Sequence, residues 1–141
     1  MRVELRHSPA YAVARCWLGP NESIKVQPGA MMAHSYGVTL EAKADGGLMR
    51  GLGRMIGGES FFTSTFTAGQ QGGWVDVIPE SVGDVVAVAV DRNTDFVLTK
   101  GAWLANDGDI EVKPDASISG MFAGEGLVVL RARGTGTLVV S

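Results

Sequence analysis

The chain has 141 residues, which suits one domain, and 45% of them are hydrophobic, which is enough for a core and excludes a disordered tail. Twelve Lys and Arg against 15 Asp and Glu give a net charge of −3, which argues against a broad phosphate-binding surface. Glycine, with 20 residues, is about twice as frequent as usual. Because these glycines follow no collagen period, we interpret them as turns between many short strands.

The sequence also indicates a compartment. Cys16 has no second cysteine to pair with, which fits a reducing cytoplasm. Charged residues within the first seven positions prevent a signal-peptide core, and the longest aliphatic run, Val85–Val90, is far too short to span a membrane. We therefore expect a soluble, cytoplasmic protein. We interpret Cys16 as a small buried hydrophobic residue, with a reactive thiol as the alternative.

Alternation of apolar and polar residues dominates the chain from its first segment to its last. Each alternating segment is short, at most eight residues long, and is bounded by Gly, Pro, Asn or Asp. Such segments are typical of strands in a sandwich or barrel. The predicted strands lie at Val3–Leu5, Ile24–Val26, Val38–Leu40, Phe62–Thr67, Trp74–Val77, Val85–Val90, Phe96–Leu98, Ile110–Val112, Leu127–Leu130 and Leu138–Val140. Tight turns are predicted at Asp91–Asn93 and Asn106–Asp109.

One segment, residues 47–57, has helical rather than strand spacing. Its apolar and basic side chains are Leu48, Met49, Arg50, Leu52, Arg54, Met55 and Ile56. Gly51 and Gly53 would each weaken a helix by roughly 1 kcal/mol, so we expect a short helix or an ordered apolar loop. Met-rich apolar surfaces adapt to partners, and these seven residues are our candidate interaction site. Packing on the domain itself or on a sister subunit is the plainer alternative.

The chain contains a weak internal repeat. Residues 23–34 resemble residues 95–106 at an offset of 72, and both copies contain a strand, Gly-Ala, two large apolar residues and Ala. The offset becomes 66 after the 47–57 loop, which has no counterpart in the second copy. We predict a single β domain of two units, about 1–78 and 79–141. Gly29 and Gly101 are expected to supply a left-handed turn or a close strand approach, and the apolar pairs after them to point into the core.

Four segments resemble one known family. Gly29–Ala33, Gly57–Phe62 after Arg54, Gly101–Ala105 and the turn Pro79–Gly83 are similar to those of the bacterial and mitochondrial Aim family (altered inheritance of mitochondria, member twenty-four). The resemblance covers nearly the whole chain. It implies a fold like the tryptophan RNA-binding attenuation protein: a β-sandwich of the short double-stranded β-helix type, duplicated within the chain.

The resemblance further implies self-assembly, with a trimer favoured, and it supplies no activity. The mitochondrial relative is linked to organisation of the inner membrane. Family members usually continue well beyond the point where this chain ends, at Thr137–Ser141. We therefore expect either a short member or a truncated one, and an end strand without its neighbour would invite a partner.

Catalytic and cofactor sites are not predicted. The two histidines, His7 and His34, lack the His-x-His spacing of a cupin-type metal centre. The acidic segment Asp107–Glu111 lacks the twelve-residue calcium pattern and is interpreted as a solvated turn. Ser60 after Glu59 is interpreted as a hairpin entry rather than a nucleophile, because no Gly-x-Ser-x-Gly motif surrounds it. No phosphate-binding loop is present, so no cofactor is expected.

Two functions stay open. The first is a non-enzymatic oligomeric β-scaffold that binds a protein partner, with a membrane surface as a weak alternative and nucleic acid disfavoured because the lysines are scattered. The second is a small-ligand-binding module, with the ligand between repeats or subunits and Trp17, Trp74 and Trp103 as candidate contacts. An enzyme would require a chemistry that these motifs do not reveal.

Overall fold

The structure is a computed structural model that describes residues 1–44, 62–121 and 128–141. The predicted all-β class is confirmed, because strands dominate these ranges and one α-helix accompanies them. The strands are β1 (Arg2–Arg6), β2 (Val13–Leu18), β3 (Ser23–Val26), β4 (Met31–His34), β5 (Thr39–Ala44), β6 (Phe62–Thr67), β7 (Gly73–Val77), β8 (Val86–Val90), β9 (Phe96–Thr99), β10 (Trp103–Asn106), β11 (Glu111–Pro114), β12 (Val129–Arg133) and β13 (Gly136–Val140). A 3₁₀ turn spans Lys100–Ala102, and helix α1 spans Ala116–Met121.

The strands form three antiparallel sheets. The first has the order β1-β2-β7-β4, the second β5-β6-β3-β10-β13-β8 and the third β11-β12-β9. The six-stranded sheet crosses the middle of the chain, because β3 from the first half pairs with β10 from the second. That one pairing, which we call the β3–β10 join, connects the sheets of the two halves.

The two halves share a pattern of strand pairing. The order β2-β7-β4 of the first half recurs as β8-β13-β10, and β5-β6-β3 recurs as β11-β12-β9. A bulge also recurs, between Met31 and Ala33 in β4 and between Trp103 and Ala105 in β10. The predicted division into units of residues 1–78 and 79–141 stays a prediction, which this common pattern supports.

Two clusters of buried side chains form the core. The first lies between the four-stranded sheet and the adjoining half of the six-stranded sheet, with Ile24, Val26, Phe66 and Val75 among its members. The second surrounds Trp103 beside the three-stranded sheet. Each fully buried aliphatic or aromatic side chain stabilises the fold by about 1.5–3 kcal/mol. Leu104 and Ala105 of β10 and Val139 of β13 belong to the first cluster, so the halves share a core at the join.

Several elements differ from the sequence prediction. Strands β2, β4 and β10 were not predicted, because consecutive apolar residues in each of them hide the alternation. Helix α1 was also missed, although Asp115 is a recognisable cap: its Oδ1 accepts hydrogen bonds from the backbone N–H groups of Ser117 (3.1 Å) and Ile118 (3.3 Å). The helix or loop predicted near 47–57 lies outside the described residues.

The Gly-Ala segments of the two halves behave differently. Gly29 has a φ of +89°, which confirms the predicted left-handed turn. The prediction for Gly101 is wrong, because this residue lies in a 3₁₀ turn and a Cβ there would meet nothing within 4 Å. The predicted inward direction is confirmed for Trp103 and Leu104, which are buried, but is wrong for Met32, which is half exposed. Strand β10 has a neighbour on both sides, whereas β4 lies at a sheet edge.

Candidate functional site

The outer face of β1, β2 and β7 brings together arginines, tryptophans and carboxylates. Alternation along β2 buries Ala14, Cys16 and Leu18 and turns the residues between them outward. The strand register then aligns the outward residues across the sheet, since Arg2 is opposite Trp17, Trp17 opposite Trp74, and Arg15 opposite Asp76. We call this surface the Arg–Trp face; it consists of Arg2, Glu4, Arg6, Arg15, Trp17, Trp74 and Asp76.

Cation–π contacts hold the centre of the Arg–Trp face. The Arg15 guanidinium carbon lies 3.9 Å from the ring centroid of Trp74 and 5.7 Å from that of Trp17. Arg2 also lies 5.4 Å from the centroid of Trp17. Such contacts contribute about 0.5–1 kcal/mol each where water reaches them. Both indole rings are therefore fixed in orientation while remaining partly exposed.

Carboxylates anchor the arginines of the Arg–Trp face. Arg15 donates from Nε and Nη2 to the two oxygens of Asp76 at 2.8 and 2.7 Å, a bidentate pair in which the Asp76 side chain is only 4% exposed. Glu4 accepts from the Trp17 indole at 3.0 Å and from Arg6 Nε at 2.8 Å. The Trp17 hydrogen bond, followed by that from Arg6, lowers the pKa of Glu4.

The charge balance of the Arg–Trp face limits what it can bind. Its three guanidinium groups meet two carboxylates, so only one positive charge is in surplus. That surplus is too small for a phosphate backbone, which is bound through several uncompensated cations. Partly exposed Trp and Arg side chains in a rigid, internally paired arrangement are instead typical of residues that dominate protein–protein interfaces.

A second charged cluster lies on the outer side of β9, β11 and β12. Arg131 pairs with Asp115 at 2.6 Å and with Asp95 at 3.2 Å, and Arg133 pairs with Asp95 at 2.6 Å. The Ser117 hydroxyl and then Arg131 hold the pKa of Asp115 well below its usual range. The cleft beside Asp115 and Arg131 has a volume of about 210 Å³, which is below the range of about 300–1,000 Å³ that is usual for ligand pockets.

Cys16 and Asp107 are both buried, and both bear on the sequence predictions. Burial, followed by the charges of Asp76 and Asp107, raises the pKa of Cys16 to about 12. The interpretation of Cys16 as a buried hydrophobic residue is confirmed, and the thiol stays protonated near neutral pH. The interpretation of Asp107 as part of a solvated turn is wrong: its carboxylate is buried, lies 3.0 Å from the Met1 ammonium and accepts a hydrogen bond from the Thr137 backbone.

The described ranges contain neither a metal-ligand cluster nor a membrane-spanning helix. No group of three or more His, Cys, Asp or Glu side chains there is arranged to hold a metal ion. No helix among the described residues is both long and apolar enough to cross a bilayer.

The predicted interaction site lies outside the described residues. This applies to all seven side chains: Leu48, Met49, Arg50, Leu52, Arg54, Met55 and Ile56. Among the candidate ligand contacts, Trp103 is fully buried and donates its indole N–H to Asn106 at 3.1 Å, whereas Trp17 and Trp74 belong to the Arg–Trp face. Sequence reasoning missed Arg15 and Asp76, although the buried small residues at alternate positions of β2 indicate that Arg15 faces outward.

Comparison with known proteins identifies a family. The sequence model of the family described as mitochondrial biogenesis AIM24 matches residues 3–141. An uncharacterized protein of Streptococcus pyogenes serotype M6 is 31% identical over 153 residues, covering 100% of this chain and 60% of the relative. A S. pyogenes protein solved by X-ray crystallography shares 30% identity and superposes with a TM-score of 0.75, covering 99% of this chain and 63% of that one. The chain thus spans about three fifths of the length of these relatives. The chain belongs to the AIM24 family.

Proposed function

We propose that this protein is a non-enzymatic β-scaffold that self-associates and docks a partner protein on its Arg–Trp face. The observation that supports this function best is the stack of Arg15 on Trp74 and Trp17, at 3.9 and 5.7 Å. Two large aromatic side chains are held in place by arginines and remain partly exposed, so little conformational entropy is lost when a partner covers them.

A protein suits this surface better than other partners do. The Arg–Trp face is a sheet surface spread over three strands, and such a broad surface suits contact with another protein. Its arginines are paired with Glu4 and Asp76, so little charge is left for phosphate. The partner is expected to present apolar or aromatic side chains to the tryptophans and hydrogen-bond acceptors to the exposed Arg2.

Self-association is the finer part of the proposal. It draws on the resemblance to the Aim family, which favours a trimer, and on sheet edges that the described residues leave open. The cytoplasm is the proposed compartment, and contact with a membrane surface through residues 47–57 is the weaker alternative. The apolar and basic side chains of that segment are a second candidate contact for a partner or a sister subunit.

Affinity capture tests the docking role of the Arg–Trp face. Wild-type protein and the double variant Trp17→Ala/Trp74→Ala are cross-linked in lysate, and captured proteins are identified by mass spectrometry. The control is Tyr11→Ala, which removes an exposed aromatic side chain outside the Arg–Trp face. The proposal requires at least one protein that wild type and the control capture and that the double variant, shown to be folded by circular dichroism, loses. Identical captured sets would contradict it.

A small-ligand-binding module is the second candidate. The observation in its favour is that Trp17 and Trp74 are partly exposed rather than core residues. A ligand on the Arg–Trp face would shift tryptophan fluorescence and raise the melting temperature, and both changes would disappear in Trp74→Ala. A broad metabolite panel that produces neither change would count against this function.

A further inference from the structure

The β3–β10 join shows how two units of this fold attach to each other. Val26 is opposite Ala105, Lys25 is opposite Asn106, and the Gln27 backbone N–H donates to the carbonyl of Leu104 at 2.8 Å. Leu104 is only 1% exposed at this join. Pairing of the β3 edge with the β10 edge therefore both extends the sheet and buries an apolar side chain.

Two strands, β9 and β4, are equivalent to β3 and β10. Neither of them has the corresponding pairing partner in the part of the chain that the structure describes. Strand β9 takes the place of β3 in the second half, because β9-β12-β11 repeats β3-β6-β5. Strand β4 takes the place of β10 in the first half, because β4-β7-β2 repeats β10-β13-β8. Both β9 and β4 are edge strands, each paired on one side only. Within residues 1–44, 62–121 and 128–141, there is thus one open edge of each kind that the join requires.

The backbone N–H groups at the end of β9 point in the same directions as those at the end of β3. The Lys100 N–H donates to the carbonyl of Val128, towards β12. Because successive residues of a strand direct their N–H groups to opposite sides, the Thr99 N–H points towards the open edge. Thr99 is the counterpart of Gln27, whose N–H makes the join with Leu104. The donor needed for a second join is therefore aimed outward.

Side-chain exposure marks the same two edges. Met32, the counterpart of Leu104, is 50% exposed, whereas Leu104 is 1% exposed. Val97, the counterpart of Lys25, is also 50% exposed and lies on the open β9 edge. Exposed apolar residues on unpaired edge strands favour pairing with another chain. Strand β4 carries no Lys, Arg or Pro to oppose such pairing.

We propose that β9 of one copy pairs antiparallel with β4 of a second copy, repeating the β3–β10 join between chains. In this arrangement Leu98 lies opposite Ala33 of the second copy, and Thr99 donates to the Met32 carbonyl of that copy. The contact is head-to-tail, so a pair of copies keeps one free β4 edge and one free β9 edge, and repetition gives a closed ring or an open filament. This inference rests on the self-association proposed above.

Two variants each block one edge and are compatible with the fold. Thr99→Pro removes the outward N–H from β9, and Thr99 already has a φ of −73°, which proline adopts. Met32→Lys places a charge at a side chain that the isolated chain leaves half exposed but that the new join would bury. Thr99→Ala, which keeps the N–H, and Val82→Lys, on an exposed loop, are the matched controls.

Light scattering after size exclusion measures the mass of each species. Wild type and both controls are expected to be multimers of the 14.8 kDa chain, and each blocked variant a monomer. A mixture of Met32→Lys and Thr99→Pro is the decisive sample. The first variant keeps an open β9 and the second an open β4, so the mixture should form a one-to-one dimer and nothing larger.

The outcomes separate this inference from the proposed function. If wild type is multimeric and both blocked variants remain multimeric, self-association stands and the β9–β4 pairing is overturned. If the blocked variants are monomeric but their mixture stays monomeric, head-to-tail pairing is overturned. If wild type is a monomer at every concentration, both the pairing and the proposed self-association fail.

Discussion

At the scale of single residues, the pair of Arg15 and Asp76 is the most consequential contact of the Arg–Trp face. Arg15→Ala would leave the buried Asp76 carboxylate without its bidentate partner. Because Arg15 is partly accessible to water, we expect a loss of about 2–3 kcal/mol, below that of a fully buried pair. Urea denaturation measures this loss. Arg15→Lys should recover only part of it, and Arg2→Ala should change stability by less than about 1 kcal/mol, because Arg2 is exposed. Equal losses for Arg2→Ala and Arg15→Ala would contradict this ranking.

The Cys16 thiol provides a chemical test of the core. Its pKa of about 12, raised first by burial, keeps the thiolate fraction negligible at pH 8. We expect iodoacetamide to leave Cys16 unmodified in the folded protein and to alkylate it fully in urea, as read by the mass of the intact chain. Rapid alkylation of the folded protein, at the rate found in urea, would show that the thiol is accessible.

Asp115 gives the second charged cluster a dependence on pH. The Ser117 hydroxyl and Arg131 lower the pKa of Asp115 in the folded state, so its stabilisation is present above the unfolded value of about 4 and is lost as the pH falls below it. Asp115→Asn should reduce stability at pH 7 and flatten the loss of stability between pH 4 and pH 2. Denaturation at several pH values measures both effects, with Glu80→Gln as the control. An acid limb as steep as that of wild type would refute this role.

At the scale of elements, the turn between β12 and β13 requires glycine. Gly134 has a φ of +131°, and a Cβ there would lie 2.2 Å from the carbonyl oxygen of Asp109. Gly134→Ala should therefore destabilise the protein by about 2–4 kcal/mol, as measured by thermal or urea unfolding. Gly101→Ala is the matched control, because a Cβ at Gly101 meets nothing within 4 Å and should cost less than about 1 kcal/mol.

Strands can be predicted from the sequence where apolar and polar residues alternate strictly, and they are not predicted where this alternation is absent. Strand β6 was predicted with its observed bounds, Phe62–Thr67, because Thr and Phe strongly favour strands. Strand β10 was not predicted as a strand, because its first three residues are consecutive apolar residues and its last, the buried Asn106, was assigned to a turn. The Arg–Trp face was also beyond prediction, since its contacts depend on the register of three strands that are distant in sequence.

At the scale of the whole molecule, the two halves share a pattern of strand pairing, to which the first half adds β1, and the β3–β10 join connects their sheets. Leu104 is buried because β10 has a neighbouring strand on both sides. Met32, at the equivalent position, is exposed because β4 has a neighbouring strand on one side. The sequence similarity of residues 23–34 and 95–106 predicts a repeat but does not predict which of the two segments lies inside a sheet, because both have an apolar pair.

The native mass spectrum of the gently purified, wild-type chain tests the central claim, a self-associating scaffold, most directly. The account predicts a discrete multiple of the 14.8 kDa chain with no additional mass, since a scaffold needs no resident ligand. A single chain mass at all concentrations would contradict self-association. A reproducible added mass in a fixed ratio to the chain would instead favour the ligand-binding module, and its value would identify the compound to test next.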